Sequence, residues 1–270
     1  MRNTSGRFLI WLIFGFFIFT IFSIYFAHIF DIQQEPLIQE HNSSSTSFSH
    51  FAGLVLARGG SKGLPHKNVA KIKNITLLGR ALRTMTEFGK FDSIWVSTDD
   101  IVIANEAKRG KASVHWRPSY TASDSASTVV AVNEFLEKHD EVTKIGVIQC
   151  TSPFLKVEYL EEAYRKLNNN IDSVFSVTRQ HKLRWGYNSS GQLQPENFDL
   201  HHRPRRQDWD GELIENGMFY FTDAFMLKHS MILQGGKLGV VEIPANLSLE
   251  IDTFNDLEVA EILMNSFEDS

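Results

Sequence analysis

The stretch Phe51-Ala52-Gly53-Leu54-Val55-Leu56-Ala57-Arg58-Gly59-Gly60-Ser61-Lys62-Gly63-Leu64-Pro65-His66-Lys67-Asn68 runs from a compact apolar segment straight into a basic, glycine-rich turn. The apolar run from Phe51 to Ala57 reads as a compact strand that ends abruptly at the turn. Glycines let backbone N–H groups approach phosphate oxygens, and Arg58, Lys62 and Lys67 supply charge to neutralise them. The spacing is neither GxxxxGK[ST] nor GxGxxG. Composition alone leaves a plain strand-to-helix turn with solvated lysines equally open.

Outward from this stretch, short apolar runs alternate with helical patterns. Residues 93–97 (SIWVS), 144–149 (KIGVIQ) and 172–178 (DSVFSVT) read as further strands, the first two followed by polar residues. Val129, Val132, Phe135 and Leu136 share one face of a helix over 128–138, and a second helix is expected over 157–167. Residues 217–221 and 239–243 and a last helix over 254–264 continue the pattern. The alternation predicts an α/β fold with a mostly parallel mixed sheet, its ligands at the carboxyl ends of the strands. Residues 185–212 interrupt it with a polar excursion too long for a plain loop, expected to form an arm or a lid. One domain is expected over 51–270, with no internal repeat.

The amino-terminal end reads differently. Residues 8–29, FLIWLIFGFFIFTIFSIYFAHI, contain no Asp, Glu, Lys or Arg and are long enough to cross a bilayer as a helix. Bulky residues at 26–30 crowd any signal-peptide cleavage site, so an uncleaved anchor over 8–30 is expected. Arg2 and Arg7 precede it, and Asp31, Glu35 and Glu40 follow. The positive-inside rule leaves residues 1–7 in the cytosol and sends the rest across the membrane. Residues 31–50, serine-rich and without apolar periodicity, read as a flexible stem. Sequons at Asn42, Asn74, Asn188 and Asn246 permit a lumenal setting, with the Golgi membrane preferred over the endoplasmic reticulum.

The formal net charge of −5, without a long basic run, gives no support for nucleic-acid binding. The single cysteine, Cys150, excludes an intramolecular disulfide and reads as a small buried residue ending a core strand rather than as a nucleophile.

The run LARGGSKGLPHKN at 56–68 resembles the signature of sialic acid cytidylyltransferases, and further markers follow in the same order. They are Ser97-Thr98-Asp99, Arg117-Pro118, residues 123–128 (SDSAST), residues 149–153 (QCTSP), residues 203–207 (RPRRQ), Glu215-Asn216-Gly217 and Ile251-Asp252. The stretch RPRRQDWDGEL is similar to the animal branch, here in an insect-like membrane-anchored form. The resemblance spans nearly all of 52–264. It implies a Rossmann-like nucleotidyltransferase domain that joins a sialic acid to the CMP half of CTP and releases pyrophosphate.

By this resemblance Arg58 and Lys67 grip the triphosphate, with Asn68 beside them. Arg117, Ala126, Thr128 and Gln149 line the nucleotide pocket, and Gln149 also lies near the sugar. Arg205 is tied to sugar binding or activity, with a solvated basic patch or a nuclear-localisation-like cluster as its plainer reading; Arg184 and Tyr220 are sugar-side contacts. Mg²⁺ is the expected cofactor. Relatives show two aspartates in IDID where this chain has Glu250-Ile251-Asp252. Strand alternation places both carboxylates on one face, with Asp252 the firmer ligand. The resemblance also implies a homodimer in which one subunit's arm reaches the other's site. The C-terminal phosphatase-like module that animal relatives often add is expected to be absent, since this sequence stops at Ser270. Alternatives are a cytidylyltransferase for another acidic sugar such as KDO, a type II Golgi glycosyltransferase, or a lumenal lectin.

Overall fold

A computed structural model describes residues 49–61 and 63–268. The expected anchor and most of the stem lie outside the described residues, as does Lys62. Among the described residues no helix is long and apolar enough to cross a membrane.

The chain opens with β1 (Phe51–Leu56), whose residues alternate between two cores. Phe51 and Val55 face one apolar cluster, while Ala52 and Leu54 face the other. Burial on both sides is why the run reads as continuously apolar. A small hairpin of β2 (Lys71–Ile72) and β3 (Ile75–Thr76) leads into α1 (Leu77–Phe88), where the Thr76 hydroxyl caps the helix by accepting from the Gly79 N–H. β4 (Ser93–Thr98) is followed by α2 (Ile101–Arg109), capped by Asp100, and β5 (Ser113–Trp116). Then come α3 (Thr128–Lys138), β6 (Lys144–Ile148), α4 (Val157–Leu167) and β7 (Ser173–Gln180). After the excursion the chain returns as β10 (Glu212–Asp223), α5 (Ala224–Ser230), β11 (Leu238–Glu242) and α6 (Phe254–Glu268).

Seven strands form one sheet in the order β11-β7-β10-β6-β1-β4-β5. All pairings are parallel except those of β10, which runs antiparallel to β6 and β7. The mostly parallel mixed sheet expected from the alternation is therefore present. Helices α1, α2, α4 and α6 supply the core on one face, and α3 with α5 supply it on the other.

The excursion contains a separate hairpin, β8 (Trp185–Tyr187) with β9 (Leu193–Pro195). Its turn is tied by Asn188, whose Oδ1 accepts from the N–H groups of Ser190 and Gln192. Trp185, Tyr187, Leu193 and Leu200 are exposed on this arm.

Candidate functional site

β1 and β6 are neighbours in the sheet, and the direction of chain progression reverses between them. In open α/β sheets that reversal opens a crevice beyond the strand ends. Here the loop after β1 contributes Arg58, Ser61, Lys67 and Asn68 to a cleft, and the loop after β6 contributes Gln149 and Thr151. Arg117, just past β5, closes one side, and the segment from Thr121 to Thr128 closes another. Glu250 completes the rim.

Backbone and side-chain ties hold this loop in shape. The Gly59 N–H donates to Asp99 Oδ1 at 2.9 Å. Asn68 is buried; its Nδ2 donates to the Arg58 carbonyl at 3.0 Å, and its Oδ1 accepts from the Cys150 thiol at 3.2 Å. A Cβ on Gly63 would lie 2.8 Å from the Asp252 carbonyl oxygen, so the loop passes residue 252 only because that side chain is missing.

The cations of the cleft are poised beside carboxylates. Arg58 Nη1 lies 2.6 Å from Asp124 Oδ1 and also donates to the Ala122 carbonyl at 3.3 Å. Lys67 Nζ lies 2.7 Å from Asp252 Oδ1. Arg117 is buried, with Nε donating to Thr121 Oγ1 at 3.2 Å. Burial pulls the Arg117 pKa below its ordinary value; the Arg58 charge adds to this, while Asp99 opposes it. The first turn of α3 also borders the cleft, with Ser127 capping it by accepting from the Val130 N–H at 3.3 Å. Two flexible cations, a buried arginine and a helix amino terminus together form a site for a polyanion.

A second cavity adjoins the first and shares Gln149 and Glu250 with it. It is lined on β10 by Glu215, Asn216, Gly217 and Tyr220, and none of its lining residues is Lys, Arg or His. Glu250 Oε1 accepts from the Thr151 hydroxyl at 3.2 Å. Partial desolvation of the carboxyl in the cleft, then the nearby Asp252 charge, raises the Glu250 pKa above its ordinary value.

Most of the residues singled out in the sequence meet here. Arg58, Lys67, Asn68, Arg117, Ala126, Thr128 and Gln149 all line the first cavity, and Tyr220 lines the second. Residues 250–252 are not a ladder strand, yet Ile251 is fully buried and its N–H donates to the Thr151 carbonyl. Glu250 and Asp252 therefore both turn out of the core without strand pairing. No cluster of three or more metal-type side chains occurs among the described residues. Arg184 and Arg205 line neither cavity. Arg184 pairs with Glu196 and Glu212 on the arm, and Arg205 with Asp208 at 2.9 Å. Asp99, Asp124, Thr151 and Glu215 were missed as individual roles, although Asp99, Asp124, Thr151 and Glu215 all stand inside the quoted motif runs.

Residues 52–265 match the family model described as Cytidylyltransferase. The chain is 42% identical over 216 residues to N-acylneuraminate cytidylyltransferase A of Danio rerio, covering 78% of this chain and 50% of that one. It therefore spans about half the length of that relative. It is 30% identical over 219 residues to pseudaminic acid cytidylyltransferase of Campylobacter jejuni, covering 78% of this chain and 94% of that one. Among solved structures, a CMP:2-keto-3-deoxy-manno-octonic acid synthetase complexed with CTP shares the fold, with TM-score 0.63 and 15% identity over 81% of this chain and 100% of that one. On the family model and these relatives, the chain belongs to the cytidylyltransferase family.

Proposed function

We propose that this chain transfers the CMP part of CTP to a sialic acid and releases pyrophosphate. The observation that carries this reading is the pair of joined cavities. One gathers Arg58, Lys67, Arg117 and the α3 amino terminus for a triphosphate, and the other lies next to it for the sugar. Gln149 and Glu250 stand at the junction, where the two substrates would meet. The choice of sialic acid rests on the vertebrate relative named above.

In this mechanism the sugar's 2-hydroxyl attacks the α-phosphorus in line, and pyrophosphate departs with no covalent enzyme intermediate. Arg58 and Lys67 exchange their carboxylate partners for phosphate oxygens, so that their charge meets the charge building on the leaving group. Asn68 fixes the carbonyl behind Arg58 and so orients the loop. The hard oxygens of Glu250 and Asp252 suit Mg²⁺, which is commonly held by one or two carboxylates together with substrate phosphates. Bound there, the ion would supply Lewis-acid neutralisation of phosphate charge.

Arg184 and Arg205 sit on an arm with exposed Trp185 and Tyr187, and the sugar cavity lacks a cation of its own. A homodimer in which each arm serves the other subunit's sugar cavity accounts for both facts. An amino-terminal anchor over 8–30, with the enzyme in the Golgi lumen, completes the proposal.

Lys67→Ala tests the site. Steady-state turnover is expected to fall by about 10²–10³-fold, the loss typical of one charge-stabilising donor, with the melting temperature held. Near-normal turnover in a folded variant would remove Lys67 from the mechanism.

A further inference from the structure

The motif Glu215-Asn216-Gly217 lies where β10 departs from regular pairing. Glu215 stands opposite Val177 on β7, and Tyr220 opposite Phe175. Five steps along β10 therefore match two along β7, and three residues bulge out of the ladder. In a regular strand, residues five apart point to opposite faces. With three residues removed from the ladder, Glu215 and Tyr220 come to the same face. Gly217, at φ 72°, takes the left-handed conformation that the bulge needs.

The convergence has a direct chemical result. The Tyr220 hydroxyl donates to Glu215 Oε1, and Gln234 Nε2 donates to Glu215 Oε2 at 2.7 Å. Tyr220 is buried, and burial raises its pKa well above that of an ordinary phenol, so it remains a donor at neutral pH. Glu215 itself is exposed to the sugar-side cavity that both residues line. A carboxylate offers about four acceptor positions, and two are occupied by the protein. The carboxylate is thus aimed from inside the protein and open on the side where a ligand arrives. A carboxylate in that position repels an anion and takes hydrogen bonds from hydroxyl groups.

We infer that Glu215 is a specificity-determining residue that accepts hydrogen bonds from hydroxyl groups of the acidic sugar, held in its acceptor geometry by Tyr220 and Gln234. The inference rests on the function proposed above and assigns the recognition of the sugar's polyhydroxyl part, as distinct from its carboxylate, to the β10 bulge. The bulge acts as the sorting device: substrates presenting hydroxyls to Glu215 are retained, and deoxygenated or more anionic ones are rejected.

The test compares wild type with Glu215→Gln, varying sialic acid at saturating CTP and then CTP at saturating sugar. The variant keeps the side-chain shape and removes the charge. Loss of charged hydrogen bonds is expected to raise the KM for the sugar about tenfold or more, with the KM for CTP within about twofold. Sialic acids lacking single hydroxyls supply the second arm. At one position, deoxygenation should weaken the wild type and leave the variant little changed. An unaltered sugar KM in an active variant, or equal rises in both KM values, would overturn the inference while leaving the proposed reaction standing. Absence of pyrophosphate release by the wild type with CTP and any acidic sugar would overturn both.

Discussion

Cys150 lies in the turn just past β6 with only 2% of its surface exposed, and its thiol donates to the Asn68 side chain that in turn holds the Arg58 carbonyl. Burial pushes the thiol pKa up to about 12, against the weaker opposing effect of Lys67. An unfolded thiol ionises near about 8.5, so the folded chain binds the extra proton above that pH and loses stability as pH rises towards 12. Alkylation by iodoacetamide at pH 8 should accordingly be slow in the native protein and fast in urea; rapid native labelling would show that the thiol is not sequestered. The expectation of a small core residue at Cys150 holds, but its tie to Asn68 was not legible. Sequence shows residue types, and a thiol–amide contact between positions 82 apart depends on where two loops cross. The placing of Arg58 and Lys67 in one cleft was legible because both stand in the glycine-rich run that follows an apolar strand. Arg184 and Arg205 were named by resemblance, and their partners in the single chain are arm carboxylates, fixed by a path that no motif encodes.

The elements were legible where burial pattern and secondary structure share a period. Helices α3 and α4 carry the boundaries read from apolar spacing, and β1, β4 and β6 differ from the reading by one residue at the carboxyl end. Helices α1 and α2 went unread although Thr76 and Asp100 cap them and Gly89 ends the first at φ 63°. The reversed direction of β10 was illegible for a physical reason: an apolar alternation is the same read forwards or backwards. One feature of the sheet does rest on particular residues. Gly53 on β1 and Gly146 on β6 stand in register, and a Cβ on either would lie 2.7 Å from Met85 or Phe91. The Phe91 ring occupies the space that the two glycines leave, tilted against Phe51 and edge-on to Phe88 and Phe221. Gly53→Ala is therefore an overpacking change, expected to cost about 1–3 kcal/mol in urea unfolding. An unchanged midpoint would mean that Phe91 moves aside freely.

For the whole molecule, the sheet matters because it brings loops from distant parts of the chain to one edge. The turns after β1 and β6, the residue after β5 and the 250–252 segment meet at a reversal of strand order, and the second cavity opens next to them. That position at the strand ends was legible from strand–helix alternation. The second cavity was not, since part of its lining comes from the irregular stretch of β10 between Glu215 and Tyr220. The anchor expected over 8–30 is read from bilayer physics, and the stem over 31–50 from serine-rich composition. Pyrophosphate release by the purified protein, with CTP and a panel of sialic acids and other acidic sugars, is the decisive test of the proposed reaction. The proposed reaction requires CTP and a sialic acid together for release, with CMP-sialic acid as the organic product. Release with another acidic sugar such as KDO in preference to sialic acids, or none with any of them, would contradict it.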